Sequence, residues 1–287
     1  MLAIIFALLS YLAWSSGDIF GTIATRKLGA YSTTFWTLLL GLILFSFYIP
    51  LSLNEIQGLT IDIFFLTIVL GLIFATSFLT FNEALRIAHP SLVGTIAASF
   101  TALTVILSIV FLKETITNYQ ALSILVIFLG VIISSLDFTE LSRGKFTFNR
   151  GVLLAIATMI SWGIYFTFIK IPVSKIGWFW PEYISFALFP LIYLIMRVRK
   201  IELKKPTYEK ALLPLILSVV ILRCGDFSFN FAISKGLTAI VAPIAGSYPT
   251  LFVVLSFLIF KDPIKKQQIF GIILTVIGIV LLSFLSR

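Results

Sequence analysis

Arg223, Asp226 and Asn230 follow one another at i, i+3 and i+7 within a run of apolar residues. That spacing puts all three on one face of an α-helix. An arginine near the middle of such a run can neutralise itself against Asp226 as a structural ion pair. It can also offer its planar fork of donors to a carboxylate or phosphate, with Asp226 tuning it or responding to protons. The two readings are compatible. A second stripe, Ser10, Trp14, Asp18 and Thr22, recurs every four residues, and Thr158, Trp162, Phe166 and Lys170 repeat it later in the chain. Both tryptophans lie well inside their apolar runs, which suits a cavity wall. Helix packing is the alternative, helped by the GxxxG spacing of Gly17 and Gly21. Asp18 is either a cavity carboxylate or a partner for Arg26 or Lys27. Asn82 and Asn230 are either interhelical hydrogen-bonding groups or substrate contacts. Tyr248 stands beside Ser247, Pro249 and Thr250 in a run that also holds Pro243. Each proline frees a carbonyl that protein, water or a ligand must satisfy, at a kink or a hinge. The candidate substrate-binding residues are therefore Trp14, Asp18, Asn82, Trp162, Arg223, Asp226, Asn230 and Tyr248. Lys170 and Glu182 lie nearer helix ends. Glu83 and Arg86 read as a surface pair, and His89 has no assigned role.

The elements that must position these residues follow from composition. The chain has 287 residues, 60% of them hydrophobic and 11% charged, whereas a soluble domain carries roughly 25% charged residues. Mean hydropathy is +1.11. Ten segments are long and apolar enough to span a bilayer. They run about 2–24, 32–51, 62–86, 90–112, 119–136, 150–172, 180–197, 209–234, 238–260 and 267–286. A backbone in lipid must satisfy its own hydrogen bonds, so the segments are expected to be helices of an all-α membrane protein. Residues 2–14 lack a preceding basic stretch and a following cleavage site, and read as the first span rather than a signal peptide. The net charge of +9 sits in short loops between apolar runs. It therefore reads as a topology signal and not as a nucleic-acid surface. One cysteine, Cys224, rules out an internal disulfide, and with one histidine, His89, a zinc cluster is not expected. No cofactor is called for.

The longest connection, DFTELSRGKFTFNR near 137–150, divides the chain into residues 1–139 and 150–287, five segments each. The halves match without gaps at an offset of 162 − 14 = 148. Trp14 meets Trp162, Gly29 meets Gly177, Phe81-Asn82 meets Phe229-Asn230, Ser99 meets Ser247, Lys113 meets Lys261 and Gly130 meets Gly278. Five spans is an odd number, so the second half enters the membrane in the opposite sense. Two inverted five-helix repeats are expected, with a site near the midplane between them. One side carries Arg26, Lys27, Arg86, Arg143, Lys145, Arg150, Arg197, Arg199, Lys200, Lys204, Lys205, Lys210, Lys261, Lys265 and Lys266. The other has only Lys113, Lys170, Lys175, Lys235 and Arg287. This bias puts the first side in the cytoplasm of a plasma membrane and both termini outside.

Two stretches carry a family resemblance: FNEALRIAHPSLVGTIAASFTALTVILSIVFLKETITNYQALSILVIFLGVII from Phe81, and FNFAISKGLTAIVAPIAGSYPTLFVVLSFLIFKDPIKKQQIFGIILTVIGIVLL from Phe229. With Trp14 and Trp162 they resemble the EamA-type ten-helix members of the drug/metabolite transporter superfamily. The family turn is Lys113-Glu114 in one half and Lys261-Asp262 in the other. Helix capping and hairpin packing are the expected work of Glu114 and Asp262. Thr101 departs from the pattern, standing where the second half has Pro249. The resemblance implies secondary transport of small organic metabolites such as amino acids, frequently as export. It also implies a central cavity lined by helices 1, 3, 4, 6, 8 and 9, with helices 5 and 10 peripheral. The family is usually described with both termini cytoplasmic, against the loop charges here.

The reading that gathers these observations is a carrier working by alternating access. Its partners are a small-molecule substrate, the lipid bilayer and, through Asp18 or Asp226, protons as a coupling ion. The protein itself is expected as a monomer or weak homodimer. A facilitative channel or a flippase for lipid-linked substrates is the alternative. An intramembrane enzyme is disfavoured by the lack of a Ser/His, paired-Asp or HExxH arrangement.

Overall fold

The computed structural model describes residues 1–88, 90–135, 150–207, 211–261 and 264–286. Among them, ten helices are long and apolar enough to cross a membrane, numbered here in chain order. The first half holds α1 (Leu2–Leu28), α2 (Ala30–Ser52), α3 (Ile61–Ala84), α4 (Val93–Phe111) and α5 (Asn118–Ser135). The second holds α6 (Arg150–Ile176), α7 (Trp180–Val198), α8 (Leu213–Lys235), α9 (Thr238–Ile259) and α10 (Lys266–Leu285). No strand occurs among the described residues. The α-helical part of α8 begins at Leu213, directly after two π-helical residues, 211 and 212, with Pro214 in its first turn. His89, Asp262 and most of the connection between the halves lie outside the described residues, as does the side chain of Arg86.

Small residues set how closely the helices approach. Gly17 and Gly21 bring α1 against α8: a Cβ at Gly17 would lie 2.6 Å from Leu222 Cγ, and one at Gly21 would lie 3.0 Å from Ser218 Oγ. Ser10 Oγ donates to the Gly225 carbonyl across the same seam at 2.9 Å. The GxxxG spacing thus serves packing. In the other direction α6 lies along α3, where Thr80 and Thr158 hydroxyls meet at 2.9 Å and the Phe74 and Tyr165 rings sit 4.5 Å apart. Each half therefore packs its first helix on the third helix of the other half. A separate pair, α5 and α10, closes through Gly130 and Gly271; a Cβ at Gly271 would fall 2.3 Å from the Ser134 nitrogen. The outer faces of this pair expose Leu122, Leu125, Phe270, Ile273 and Phe284, apolar surface suited to lipid rather than water.

Backbone details recur at the offset seen in the sequence. Gly29 has φ 80 and ψ 161, and Gly177 has φ 77 and ψ 174, a region that only glycine enters without strain. These residues turn α1 into α2 and α6 into α7. Lys113 and Lys261 both adopt positive φ, 56 and 63. Helix α4 breaks at Ser99 and α9 breaks at Ser247, and 247 − 99 = 148.

Candidate functional site

The two breaks in α4 and α9 face each other at the centre of the molecule. A Cβ at Gly246 would lie 1.9 Å from Thr101 Cγ2, so the helices touch where each is interrupted. Beside this crossing lies a narrow, partly open cavity of about 40 Å³. Its wall comes from Trp14 and Asp18 of α1, Phe74, Phe78 and Phe81 of α3, and Phe100 of α4. Trp162 and Phe166 of α6, Leu222, Arg223 and Asp226 of α8, and Tyr248 of α9 complete it. Helices 1, 3, 4, 6, 8 and 9 thus line the cavity, while α5 and α10 stay peripheral.

The charged groups form one connected cluster. Arg223 is 1% exposed. Its Nη1 lies 2.8 Å from Asp226 Oδ2 and donates to Glu182 Oε1 at 3.0 Å. Glu182 in turn accepts a hydrogen bond from the Tyr165 hydroxyl at 2.6 Å. Trp14 Nε1 donates to the other Asp226 oxygen at 2.8 Å. The guanidinium carbon also sits 5.6, 5.9 and 5.2 Å from the ring centroids of Phe74, Phe78 and Phe186. Such cation–ring contacts recover part of the cost of taking the charge out of water. Arg223 is therefore not a free fork awaiting a carboxylate. Both of the sequence readings meet in it: a self-neutralised ion pair that also borders a cavity.

Of the eight residues singled out from sequence, six line the cavity: Trp14, Asp18, Trp162, Arg223, Asp226 and Tyr248. Asn82 and Asn230 are buried outside the lining. Asn82 Nδ2 donates to the Phe78 carbonyl of its own helix at 3.0 Å, while Asn230 Nδ2 has no partner among the described residues. Asp18 forms no ion pair with Arg26 or Lys27, whose side chains are exposed. Trp14 stacks 5.5 Å from Phe229 and meets Tyr248 edge-on at 6.0 Å. Trp162 packs on Phe81 and Phe100 at 4.9 and 5.7 Å, but its Nε1–H has no acceptor among the described residues.

Glu182 and Tyr165 are the participants that spacing did not reveal. Glu182 stands near the start of α7, and 41 residues separate it from Arg223. Its one sequence signal was a carboxylate within an apolar span, which a helix-end position made unremarkable. Glu114 does cap a helix, but in the opposite half: it accepts the N–H groups of Thr238 and Ala239 at 2.9 and 2.8 Å, the first residues of α9. Lys170 lies 3.7 Å from Glu114 and donates to the Gly236 carbonyl. A second space, about 450 Å³, opens between α2, α3 and α7 beside Thr76, Thr80 and Leu194, where Arg199 Nη1 donates to Tyr31 Oη at 2.8 Å.

Comparison with known proteins agrees with this architecture. The model of the EamA-like transporter family matches residues 1–136 and 149–284. An uncharacterized protein of Methanocaldococcus jannaschii is 30% identical over 135 residues, 47% of this chain and 97% of that protein. That relative is thus the size of one half. A crystal structure of a protein with 17% sequence identity superposes with a TM-score of 0.80 over 99% of this chain and 97% of its own, which shows a shared fold.

Proposed function

Because the chain belongs to the EamA-like transporter family, we propose that it is a secondary carrier exporting a small organic metabolite, such as an amino acid or a related compound, by alternating access. One observation carries the reading: a central cavity walled by six helices drawn from both halves, with the buried charges at its edge. Charges at mid-span are costly unless they serve a pathway or a site. In this reading residues 1–139 and 150–287 are inverted repeats that rock about the cavity. The breaks at Ser99 and Ser247 are the flexible points, since the interrupted helices touch there. Trp14, Trp162 and Tyr248 supply apolar contact, and Asp18, Asp226 and Arg223 supply polar contact. Asn82 and Asn230 stand outside the lining and take no part in it.

The experiment is a transport screen of small metabolites with purified protein in proteoliposomes. Accumulation of a solute, abolished by Trp14→Ala or Trp162→Ala in protein that still elutes as one species, supports the reading. Flux that survives both substitutions, or that shows no saturation, argues for a channel instead. The space between α3 and α7 favours one further reading, entry of a lipid-linked substrate from the bilayer, which a headgroup-flipping assay in the same vesicles separates. By loop charge the protein sits in the cytoplasmic membrane with both termini outside. A cytoplasm-only reporter fused after Arg287 is then silent, and a bright signal reverses the orientation.

A further inference from the structure

The charges at the central cavity do not balance. Arg223 supplies one positive charge, while Asp226, Glu182 and Asp18 supply three carboxyls, so the ionised set sums to +1 − 3 = −2. Among the described residues no lysine and no second arginine lines the cavity. Asp226 and Glu182 already share Arg223. Asp18 borders the cavity half-buried and makes no hydrogen bond or ion pair among the described residues. A net negative charge held among aromatic rings is unfavourable until a cation or a proton compensates it. An anionic substrate would deepen the imbalance, and to reach Arg223 it would have to displace one of two close carboxylates.

The rest of the wall suits a cation. Trp14, Trp162, Phe78, Phe81, Phe166 and Tyr248 present aromatic surface, and ring faces attract cations once water is excluded. Arg223 already makes such contacts with Phe74 and Phe78. The unpartnered Nε1–H of Trp162 adds one donor for an acceptor on the substrate.

Resting on the carrier reading above, we propose that the cavity recognises a net-cationic organic amine, with its ammonium at Asp18 and Asp226 and its apolar part against Trp14 and Trp162, and that protons compete for the same carboxylates. With two protons on the three carboxyls the empty cavity is neutral; a monocationic substrate displaces one of them and leaves the other bound, so transport exchanges one proton for one substrate. The titratable and charged groups facing this position are Asp18 on α1, Tyr165 on α6, Glu182 on α7, Arg223 and Asp226 on α8, and Tyr248 on α9; α3 and α4 contribute only phenylalanines to the wall.

Three probes with one aromatic frame test this on the purified full chain: phenyltrimethylammonium, phenylalanine and phenylacetate, followed by tryptophan fluorescence. The permanently charged ammonium probe should bind at least about tenfold more tightly than phenylacetate. Its affinity in the unmodified protein should fall about tenfold from roughly pH 8 to roughly pH 5, as the carboxylates take up protons. Asp18→Asn should weaken it by a similar factor and Asp18→Glu should keep most of it. Tighter binding of phenylacetate or phenylalanine overturns the inference, and so does an ammonium affinity that does not change with pH, a result that needs no variant to fold. If an anion or zwitterion is then found to accumulate in proteoliposomes, the carrier reading stands without this one. If nothing in the metabolite screen accumulates, the carrier reading itself fails.

Discussion

The two halves share a scaffold and differ in chemistry. Gly29 and Gly177 turn the same connection, Ser99 and Ser247 interrupt the same helix, and Trp14 and Trp162 face the same cavity. None of the charges at the cavity is repeated. At the offset of 148, Arg223 corresponds to Ala75, Asp226 to Phe78, Glu182 to Thr34, and Asp18 to Phe166. The residues that shape the backbone are therefore common to both halves, whereas each cavity charge stands in one half without a counterpart in the other, Asp18 in the first and Glu182, Arg223 and Asp226 in the second. Backbone geometry must be matched on both sides if two packed units are to move against each other. A single asymmetric substrate needs its polar partners only once.

The largest expected effect breaks this asymmetry. Arg223→Ala leaves Asp226 and Glu182 buried without their cation, and removing one partner of a buried pair costs about 3–5 kcal/mol. A sharp fall in thermal stability should follow, read by fluorescence-detected size exclusion. Replacing Arg223, Asp226 and Glu182 together by apolar residues should restore stability but not transport. Full transport in that triple variant would show that the asymmetric charges are only structural.

The tryptophan pair offers a direct contrast. Trp14→Phe removes the bond to Asp226, and hydrogen bonds to charged groups are worth about 1.5–3 kcal/mol. Trp162→Phe removes an N–H with no acceptor among the described residues, so it should cost only the loss of ring volume that both variants share, and less stability than Trp14→Phe. Equal losses of thermal stability in the two variants would refute the contrast.

The glycine pair should differ more narrowly. Both sites strain any other residue, by about 1–3 kcal/mol. A Cβ at Gly29 meets open space, whereas at Gly177 it would lie 2.0 Å from Glu55 Oε2. Gly177→Ala should lower the melting temperature further than Gly29→Ala, and the reverse order would contradict the packing described. The smallest effect is expected from Thr101→Pro. Helix α4 already breaks at Ser99, and residue 101 occupies the same first-turn position that Pro249 holds after Ser247. Proline is tolerated there, so stability should shift by no more than about 1 kcal/mol.

Glu114 and Arg223 show where sequence reading stops. The spacing of Arg223 and Asp226 predicts a shared helix face, and the two do pair at 2.8 Å. Nothing in that spacing points to Glu182 on another helix, or to Trp14, 212 residues from Asp226. The family turn suggested capping for Glu114. That the capped helix is α9, in the other half, depends on how the halves dock.

Hydropathy and spacing alone required ten apolar helices, halves that repeat at a fixed offset, and candidate site residues spread over five of those helices. These properties follow from local rules: twenty apolar residues span a bilayer, and a helix returns to the same face every three to four residues. Folding in three dimensions was needed to show that Arg223 is held by two carboxylates, that Asp18 makes no hydrogen bond or ion pair among the described residues, and that Trp14 and Trp162, alike in sequence, differ in bonding. Those outcomes depend on interhelical distances. Such distances are set by close glycine contacts and by which helix faces meet, neither of which a one-dimensional spacing encodes.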